Sequence, residues 1–375
     1  MPKIGILTWL HNGNYGTVLQ AYALQRFLRN MGYNVQNINF NASTKQKIKN
    51  LIVRKNSPKL FMEKMENYLT EKKADKEKLF QKKKRFSNFL NENFNLTAQI
   101  DSYIKLTEYS ETFDIYICGS DQIWSPALLN TPYYFDFVSS KKRKIAYSCS
   151  FGVSRVPVNK KKIIAELLQD FDYISVRENS GKKIVKELIR KEVPVMVDPV
   201  FLLNTNEWDE IASERLVDGE YVFAYFLTYN KEYFDFAQQV SKMLGVKLVV
   251  VPVTKEEYQI QGDIIQDVGP AQWISLIKYS KMVLTDSFHG SVFSLLYQKK
   301  FLVFKRFNDK DKNSQNSRIY TLIKQYGLQK HLVDERLLSD FDFENLSTNK
   351  NDLIKKNSSV SKKWIVTCIQ GECNE

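Results

Sequence analysis

Short runs of apolar residues alternate with amphipathic helical patterns from the start of the chain to about residue 304. Most of these runs are apolar at every position, which is typical of strands that are covered on both faces. Because strands that alternate with helices form parallel sheets, the pattern predicts an α/β fold. The first series comprises predicted strands at 4–9, 34–40, 113–118, 144–149, 173–176 and 195–197, with helices at 17–31, 159–171 and 180–189.

A second series follows a break near residues 202–220, with strands at 221–227, 246–251, 282–285 and 301–304 and helices at 231–244, 270–279 and 290–296. A chain of 375 residues can form two domains with cores of their own. We therefore predict two doubly wound, Rossmann-like α/β domains that face a cleft. The predicted ranges are 1–205, with a basic helical insertion at about 42–100, then 206–345, and a C-terminal helical tail at 346–375.

The net charge of +13, from 55 basic and 42 acidic residues, is concentrated in one stretch. Residues 45–90 hold 15 Lys or Arg against 5 Asp or Glu. Two interpretations stay open, namely the solvated face of a packed helix and a patch that contacts an anionic membrane surface. No nucleic-acid-binding motif occurs in the sequence, so we expect no nucleic-acid partner. The apolar residues of the stretch are spaced for one helix face and predict packing: Leu79, Phe80, Phe86, Phe89 and Leu90.

Four cysteines and three histidines show neither the spacing of a disulfide framework nor that of a zinc site. Cys368 and Cys373 are separated by four residues, without a second pair or a nearby histidine. No apolar run reaches the roughly 20 residues of a membrane span, and the predicted strand at the start argues against a signal peptide. We therefore expect a cytoplasmic protein, acting in solution or at the inner face of the membrane, with no metal and no cofactor.

A polar, glycine-bearing loop lies between the first predicted strand and the first predicted helix. Its glycines, Gly13 and Gly16, match neither the dinucleotide fingerprint nor the phosphate-binding P-loop. Asn12, Asn14 and Tyr15 carry amide and phenol groups that suit sugar hydroxyls. The glycines themselves are equally compatible with turn geometry alone.

The stretch TDSFHGS, residues 285–291, links another predicted strand to a helix. It presents His289 at the helix N-terminus, where free N–H groups and two serine hydroxyls favour an anion close to the imidazole. A histidine is often structural, but the polar loop around His289 favours a functional role.

The chain carries six stretches in a fixed order between residue 4 and about residue 304: GILTWLHNGNYGTVLQAYALQ, DIYICGSDQIWSP, KIAYSCSFG, ISVRENSG, VDPVFLL and VGPAQWISLIKYSKMVLTDSFHGSVFS. Together they resemble the polysaccharide pyruvyl transferase family. The resemblance implies a fold similar to the glycosyltransferase-B architecture. It also implies transfer of the pyruvyl unit of phosphoenolpyruvate to a sugar of a surface-polysaccharide precursor, such as one of exopolysaccharide or capsule, as a pyruvate ketal. Phosphoenolpyruvate would then be a co-substrate, and the acceptor saccharide could be lipid-linked.

The resemblance implies that Arg177 and His289 hold the donor. The Arg177 guanidinium offers a fork for an oxyanion, although a surface ion pair with Glu178 is the alternative. The neighbouring residues that we expect to contact the donor in the second domain are Ser287, Gly290, Ser291 and Lys305. The residues of the first domain that we expect to contact the acceptor are Asn12, Asn14, Tyr15, Asp121 and Trp124.

For catalysis, we expect His289 to protonate carbon 3 of the enol and Asp286 to accept the proton of a sugar hydroxyl. Asp121 and Asp198 stay open as alternative proton acceptors, although Asp198, which precedes a proline, is equally suited to cap a turn. A nucleotide-sugar-dependent glycosyltransferase of the same two-domain shape is the alternative function, because fold alone does not separate the two activities.

Overall fold

The computed structural model describes residues 1–41, 74–311, 314–333, 343, 346 and 349–372. In this part of the chain, a first sheet contains five parallel strands in the order β2-β1-β3-β4-β5. These strands are β1 (Lys3–Leu7), β2 (Asn34–Asn37), β3 (Ile115–Cys118), β4 (Arg143–Cys149) and β5 (Tyr173–Val176).

A second sheet contains six parallel strands in the order β11-β10-β9-β6-β7-β8. Its strands are β6 (Tyr221–Tyr225), β7 (Lys247–Val250), β8 (Asp263–Ile264), β9 (Met282–Thr285), β10 (Lys300–Phe304) and β11 (Leu332–Val333). The molecule therefore has two parallel-sheet α/β domains, as predicted. The first sheet lies within residues 1–205 and the second within 206–345.

Helices cover the sheets and connect their strands, and their bounds agree closely with the sequence patterns. They are α1 (Tyr15–Asn30), α2 (Lys76–Asn93), α3 (Tyr103–Thr107), α4 (Val158–Gln169), α5 (Asn179–Ile189), α6 (Thr205–Asp209), α7 (Lys231–Met243), α8 (Pro270–Tyr279), α9 (Phe288–Leu296), α10 (Ser317–Tyr326) and α11 (Asn351–Gln370).

Three parts of the prediction differ from the structure. The expected strand at 195–197 is only an isolated bridge between Val195 and Val176, because a short 3-10 helix follows at Pro199–Leu202. The strands β8 and β11 have two residues each, too few to leave a pattern in the sequence. The sequence patterns do not predict α10 or the two five-residue helices α3 and α6.

The predicted basic insertion is described only from residue 74 onward, because residues 42–73 lie outside the described residues. Its described part is mainly α2, which begins after the N-cap Asp75 and buries Phe86, Phe89 and Leu90 against the core. Phe80 does not share this buried face, since 59% of it is exposed.

Helix α1 joins the two domains and is buried along almost its whole length. Its first turn is fixed by Asn14, whose side chain accepts a hydrogen bond from the N–H of Thr17. Tyr22 packs on Trp208 of the second half of the molecule, with ring centres 5.7 Å apart. A single core cluster therefore runs from the first sheet into the second.

The C-terminal helix α11 returns to the first domain. Its Ser361 Oγ accepts a hydrogen bond from the N–H of Val197 at 3.1 Å, and its Ser358 Oγ donates one to the carbonyl of Phe201 at 2.7 Å. Arg143, at the start of β4, donates to the carbonyl of Ile369 at 2.6 Å. Of the predicted tail, residues 373–375, including Cys373, lie outside the described residues.

Within the described ranges, no helix combines the length and the apolar character that a bilayer crossing requires.

Candidate active site

The loop that follows β9 is held by its own side chains. Ser287 caps α9 by accepting a hydrogen bond from the N–H of Gly290 at 3.2 Å, and Ser291 Oγ donates to the carbonyl of Ser287 at 3.0 Å. A Cβ atom at Gly290 would stand 2.6 Å from Oγ1 of Thr285, so only glycine allows this close approach. Because α9 begins at Phe288, two residues before its predicted start, His289 lies within the first helical turn.

His289 lies at the boundary between the two domains and is only 6% exposed. Its Nε2 lies 3.3 Å from Oδ2 of Asp198, in the segment that follows the first sheet. On the other side, its ring packs against Gly16 in the first turn of α1. The sequence predicts an exposed loop position, but the imidazole is enclosed, because residues from three separate parts of the chain meet around it.

Arg177 follows β5 and is almost completely buried. One guanidinium nitrogen lies 2.8 Å from Oδ2 of Asp198 and another lies 3.5 Å from Oδ1 of Asp121. The plane of the group lies over the ring of Phe288, 4.4 Å from the ring centre. The arginine is therefore held in one orientation, and its Nε is a buried donor with no hydrogen-bond partner among the described residues.

Asp198 connects Arg177 with His289. Its Oδ1 accepts a hydrogen bond from the N–H of Val200 at 3.1 Å, which is the capping role that its position before Pro199 favours. Its Oδ2 faces both the guanidinium of Arg177 and the imidazole of His289. Burial alone would raise the pKa of this carboxyl, but the charges and hydrogen bonds of His289 and Arg177 outweigh burial and hold the pKa well below its usual range. Asp198 is therefore an ionised group of the site as well as a cap.

Asp121 lies on the opposite side of Arg177 and accepts a hydrogen bond from Thr17 Oγ1 at 2.6 Å. Its backbone has φ 72° and ψ −173°, a region that residues with a side chain rarely occupy and that costs about 1–3 kcal/mol. Burial acts to raise the pKa of Asp121, but Arg177 and His289 lower it below its usual value. The structure thus groups Asp121 with the expected donor residues, although the sequence predicts an acceptor contact.

Sequence reasoning missed two charged members of this cluster. Arg318, in α10, is half-buried, and burial together with the charge of Arg177 lowers its pKa to about 9. Glu178 is fully buried, accepts a hydrogen bond from Ser150 Oγ at 2.9 Å, and has a pKa raised by burial. Arg318 lies in a helix that the sequence pattern did not reveal. Glu178, expected as a surface partner of Arg177, is instead a buried one, with its Oε2 3.9 Å from Nε of Arg177.

Asp286 belongs to a different group from the one around His289. Its Oδ1 accepts a hydrogen bond from the N–H of Leu227 at 2.6 Å, and its Oδ2 is a buried acceptor with no partner among the described residues. Burial raises its pKa to about 6, while the nearby Arg306 opposes the shift. Its electrostatic neighbours include Tyr225 and Glu257, and burial raises the pKa of Glu257 to about 8. Asp286, Tyr225 and Glu257 therefore form a second group of buried residues, in which burial disfavours the charged forms of the two carboxyls.

A cavity of about 800 Å³ opens beside this second group, between the first-domain loop, helix α2 and the second sheet. Its walls include Asn12, Asn14 and Tyr15, three of the expected acceptor residues. The phenol oxygen of Tyr15 donates to the carbonyl of Val268 at 3.1 Å, and its ring stacks on Trp273. Tyr15 is therefore a fixed part of the wall. Further lining residues are His11, Asn39, Leu79, Lys82, Lys83, Phe86, Gln99, Leu227, Tyr258 and Gln266.

Two predicted site residues have other surroundings. Trp124 is fully buried, stacks on Tyr134 with ring centres 5.3 Å apart, and donates to the carbonyl of Tyr133 at 3.1 Å. Its indole has no exposed face for a sugar, which corrects the expected acceptor role. The ammonium of Lys305 lies 3.1 Å from Asp309, four residues further along the chain. The expected contact of Lys305 with the donor stays a prediction.

Metal-ligating side chains do not gather anywhere in the described ranges: no group of three or more His, Cys, Asp or Glu there could hold an ion.

The sequence matches the family model of polysaccharide pyruvyl transferase over residues 14–306. The chain belongs to the polysaccharide pyruvyl transferase family. The matched span contains Arg177, Asp198 and His289, whereas Arg318 lies beyond its end. No curated protein matches this pyruvyl transferase family member at the level of sequence.

Solved structures similar to this pyruvyl transferase family member confirm the glycosyltransferase-B type of fold. S. aureus MnaA, solved with UDP, has a TM-score of 0.52 at 11% identity, with 100% of this chain and 98% of that chain covered. UDP-N-acetylglucosamine 2-epimerase from Rickettsia bellii also has a TM-score of 0.52, at 9% identity, with 99% and 96% covered. At such identities the likeness concerns the fold alone.

Proposed function

We propose that this protein transfers the pyruvyl unit of phosphoenolpyruvate to two hydroxyls of one acceptor sugar, forming a pyruvate ketal and releasing phosphate. The observation that carries the proposal is the buried contact of Arg177, Asp198 and His289 between the two domains. It joins an oxyanion-binding group to an imidazole, the combination that an anionic enol donor requires.

The donor brings a phosphate and a carboxylate, so its site must supply cations in a fixed arrangement. Arg177 can bind one oxyanion through its fork, and Asp198 and Asp121 orient it beforehand. Arg318 adds a second guanidinium close enough to Arg177 for the two charges to interact. Like charges repel when the site is empty, and an anion between them would relieve that repulsion.

In the proposed reaction, His289 gives a proton from Nε2, the ring nitrogen on the side of the cluster, to carbon 3 of the enol. Before this transfer, Asp198, whose Oδ2 lies 3.3 Å from the same nitrogen, stabilises the protonated imidazole. After the transfer, carbon 2 is electrophilic. The first sugar hydroxyl forms a bond to carbon 2, and the bond from carbon 2 to the phosphate oxygen breaks. The second hydroxyl then closes the ketal. Of the two hydroxyl protons, one replaces the proton of His289, and the other is taken up by Asp286 and then leaves with phosphate.

The acceptor is proposed to bind in the cavity of about 800 Å³, a size within the usual range of small-molecule sites. Asn12 and Asn14 offer amide groups to sugar hydroxyls there. Asp286, whose pKa of about 6 lies near neutrality, is the proposed acceptor of a hydroxyl proton, because its Oδ2 has no hydrogen-bond partner among the described residues.

The proposal retains the expectation of an enzyme in the cytoplasm that works close to the membrane. Three exposed residues lie one turn apart along α2, namely Lys76, Phe80 and Lys84. Cations around an exposed aromatic ring suit an anionic lipid surface. Co-sedimentation with vesicles of anionic or neutral lipid would test this contact, and equal binding to both would exclude it.

The test of the reaction is incubation of the pure protein with phosphoenolpyruvate and a panel of sugars, with phosphate release and the methyl signal of the ketal followed by NMR. We expect acceptor-dependent phosphate release in equal amount to ketal. Release of UDP from a nucleotide sugar, with no use of phosphoenolpyruvate, would instead establish the glycosyltransferase alternative. The variant His289→Asn serves as the inactive control.

A further inference from the structure

Lys82 lines the cavity and has no carboxylate within ion-pair distance in the described part of the chain. It lies on α2 and is half-buried, with its ammonium 5.4 Å from the centre of the Tyr15 ring. Among the described residues, no hydrogen bond or ion pair joins it to a carboxylate, whereas its neighbour Arg85 is paired with Asp267 at 2.9 Å. The ammonium therefore lies beside an aromatic face in the lining of the cavity.

The carboxyl whose charge acts on Lys82 is that of Glu257, and it raises the pKa of the lysine against the larger, lowering effect of burial. Burial raises the pKa of Glu257 to about 8, so this carboxyl is mostly protonated at neutral pH. Burial also lowers the pKa of Lys82, to about 8, which leaves most of its charge in place at the same pH. The wall consequently carries a positive charge under ordinary conditions.

The other described residues that line the cavity add no negative charge. Within the described ranges, the cavity is lined by Lys82 and Lys83 but by no Asp or Glu. Its other polar groups are mainly uncharged, including Asn12, Asn91 and Gln266. Amide groups suit sugar hydroxyls, but a half-buried ammonium among them favours a ligand that also carries a negative charge.

We propose that the acceptor carries an anionic group, a phosphate or a carboxylate, which contacts the ammonium of Lys82 while the sugar hydroxyls face the loop of Asn12 and Asn14. The inference rests on the proposed function in one respect, that this cavity receives the acceptor. The anionic group can belong to a glycosyl phosphate, including a lipid-linked one, or to a uronic acid.

The experiment compares one hexose in three forms: the methyl glycoside, the 1-phosphate and the methyl uronide. Steady-state kinetics with phosphoenolpyruvate are measured for the natural protein and for Lys82→Gln, Lys82→Arg and Lys78→Gln. Lys78 is the matched control because it lies on the same helix but is exposed, outside the cavity lining and not part of the proposed membrane contact.

We expect the natural protein to have a KM for at least one anionic form about tenfold or more below that for the methyl glycoside. Lys82→Gln should remove this advantage, Lys82→Arg should keep most of it, and Lys78→Gln should leave it unchanged. Preference for the phosphate or for the uronide identifies the source of the charge. An equal KM for all three forms, or an equal effect of Lys82→Gln on all three, would overturn the inference.

A binding measurement separates this inference from the proposed function. Thermal unfolding is followed with the hexose 1-phosphate or the uronide and without phosphoenolpyruvate, since a ligand of the folded state raises the melting temperature. Stabilisation that Lys82→Gln abolishes would support the anion site even if phosphoenolpyruvate were not the donor. No stabilisation by either anionic sugar, in a protein that does turn over a neutral acceptor, would overturn the anion site alone.

Discussion

Gly16 lies so close to His289 that a Cβ atom at its position would stand 2.6 Å from the Cβ of His289 and overlap the imidazole. The glycine belongs to the first domain and the histidine to the second. The loop at the start of the chain therefore needs Gly16 for the approach of another domain's side chain, whereas Gly13, with φ +67°, serves turn geometry.

Gly16→Ala should lower turnover strongly while the protein remains folded, because the added methyl group displaces His289 from Asp198. A misplacement of about 1 Å can cost on the order of a hundredfold in rate. The measurement is kcat together with circular dichroism. Gly245→Ala is the control. Gly245 has φ +64° and open space around it. It precedes β7, at the amino ends of the strands, whereas the site residues follow the carboxyl ends. This control should lose stability but keep kcat, and a similar kcat for both variants would refute the packing argument.

His289→Asn should reduce kcat by about a hundred- to ten-thousand-fold, because asparagine supplies no acid for carbon 3. Asp198→Asn should lower kcat less and should also raise the KM for phosphoenolpyruvate, since Asp198 orients Arg177 as well. Steady-state kinetics of both variants distinguish the roles. Near-normal turnover in a folded His289→Asn protein would remove His289 from the acid role.

Arg177→Lys should weaken donor affinity before it affects the chemical step. Lysine keeps the charge but cannot reach Asp198 and Asp121 at once through a planar fork. We expect a KM for phosphoenolpyruvate raised at least tenfold, with a lower melting temperature because two buried carboxylates lose part of their partner. The exposed Arg155 provides the control Arg155→Lys, which should change neither value. An unchanged KM for phosphoenolpyruvate would contradict donor binding by Arg177.

Glu257 should make the protein less stable as the pH rises. Its pKa is about 8 in the folded state and near 4.3 in an unfolded chain, so between these values only the unfolded state releases the proton. Its contribution to the free energy of unfolding therefore falls by about 1.4 kcal/mol per pH unit in this window and levels off above it. Denaturant titrations of Glu257→Gln should show a flatter decline than the natural protein. Glu256→Gln, at the neighbouring partly exposed position, should not; matching slopes for all three proteins would contradict the prediction.

Trp124 should affect stability and not acceptor binding. Removing a fully buried tryptophan costs about 3–5 kcal/mol for Trp→Ala, and less when phenylalanine keeps the ring stacked on Tyr134. Trp124→Phe should lower the melting temperature and leave the KM for the acceptor near normal. A selective rise in that KM, with stability unchanged, would restore the sugar-binding interpretation.

The sequence was informative where a pattern is local. The uniform apolar runs predicted the two parallel sheets, and the ordered motifs predicted the family and directed attention to Arg177 and His289. The motifs could not show which carboxylate meets His289, because that contact joins residues 91 positions apart. The proline after Asp198 predicts the capping role of one carboxylate oxygen, but it does not predict that the other oxygen contacts His289.

The residues expected to bind the acceptor show that side-chain direction is hard to predict from sequence. Trp124 follows a polar loop, which in sequence looks like a binding position, but a short 3-10 helix turns its indole into the core. Lys82, in contrast, lies in a basic run where no single lysine stands out, and only the fold shows that it lines a cavity and is half-buried there. Side-chain direction in loops and on charged helices depends on packing that no spacing records.

The return of α11 to the first domain has a consequence for the order in which the enzyme matures. The backbone on either side of Asp198 is fastened by Ser361 and Ser358 through Val197 and Phe201. Both serines are synthesised some 160 residues after Asp198, and His289 also follows it by 91. Although the first sheet can fold early during translation, the contacts that hold the backbone around Asp198 form only after α11 has emerged from the ribosome. The cluster of Arg177, Asp198 and His289 is therefore among the last parts of the molecule to be assembled.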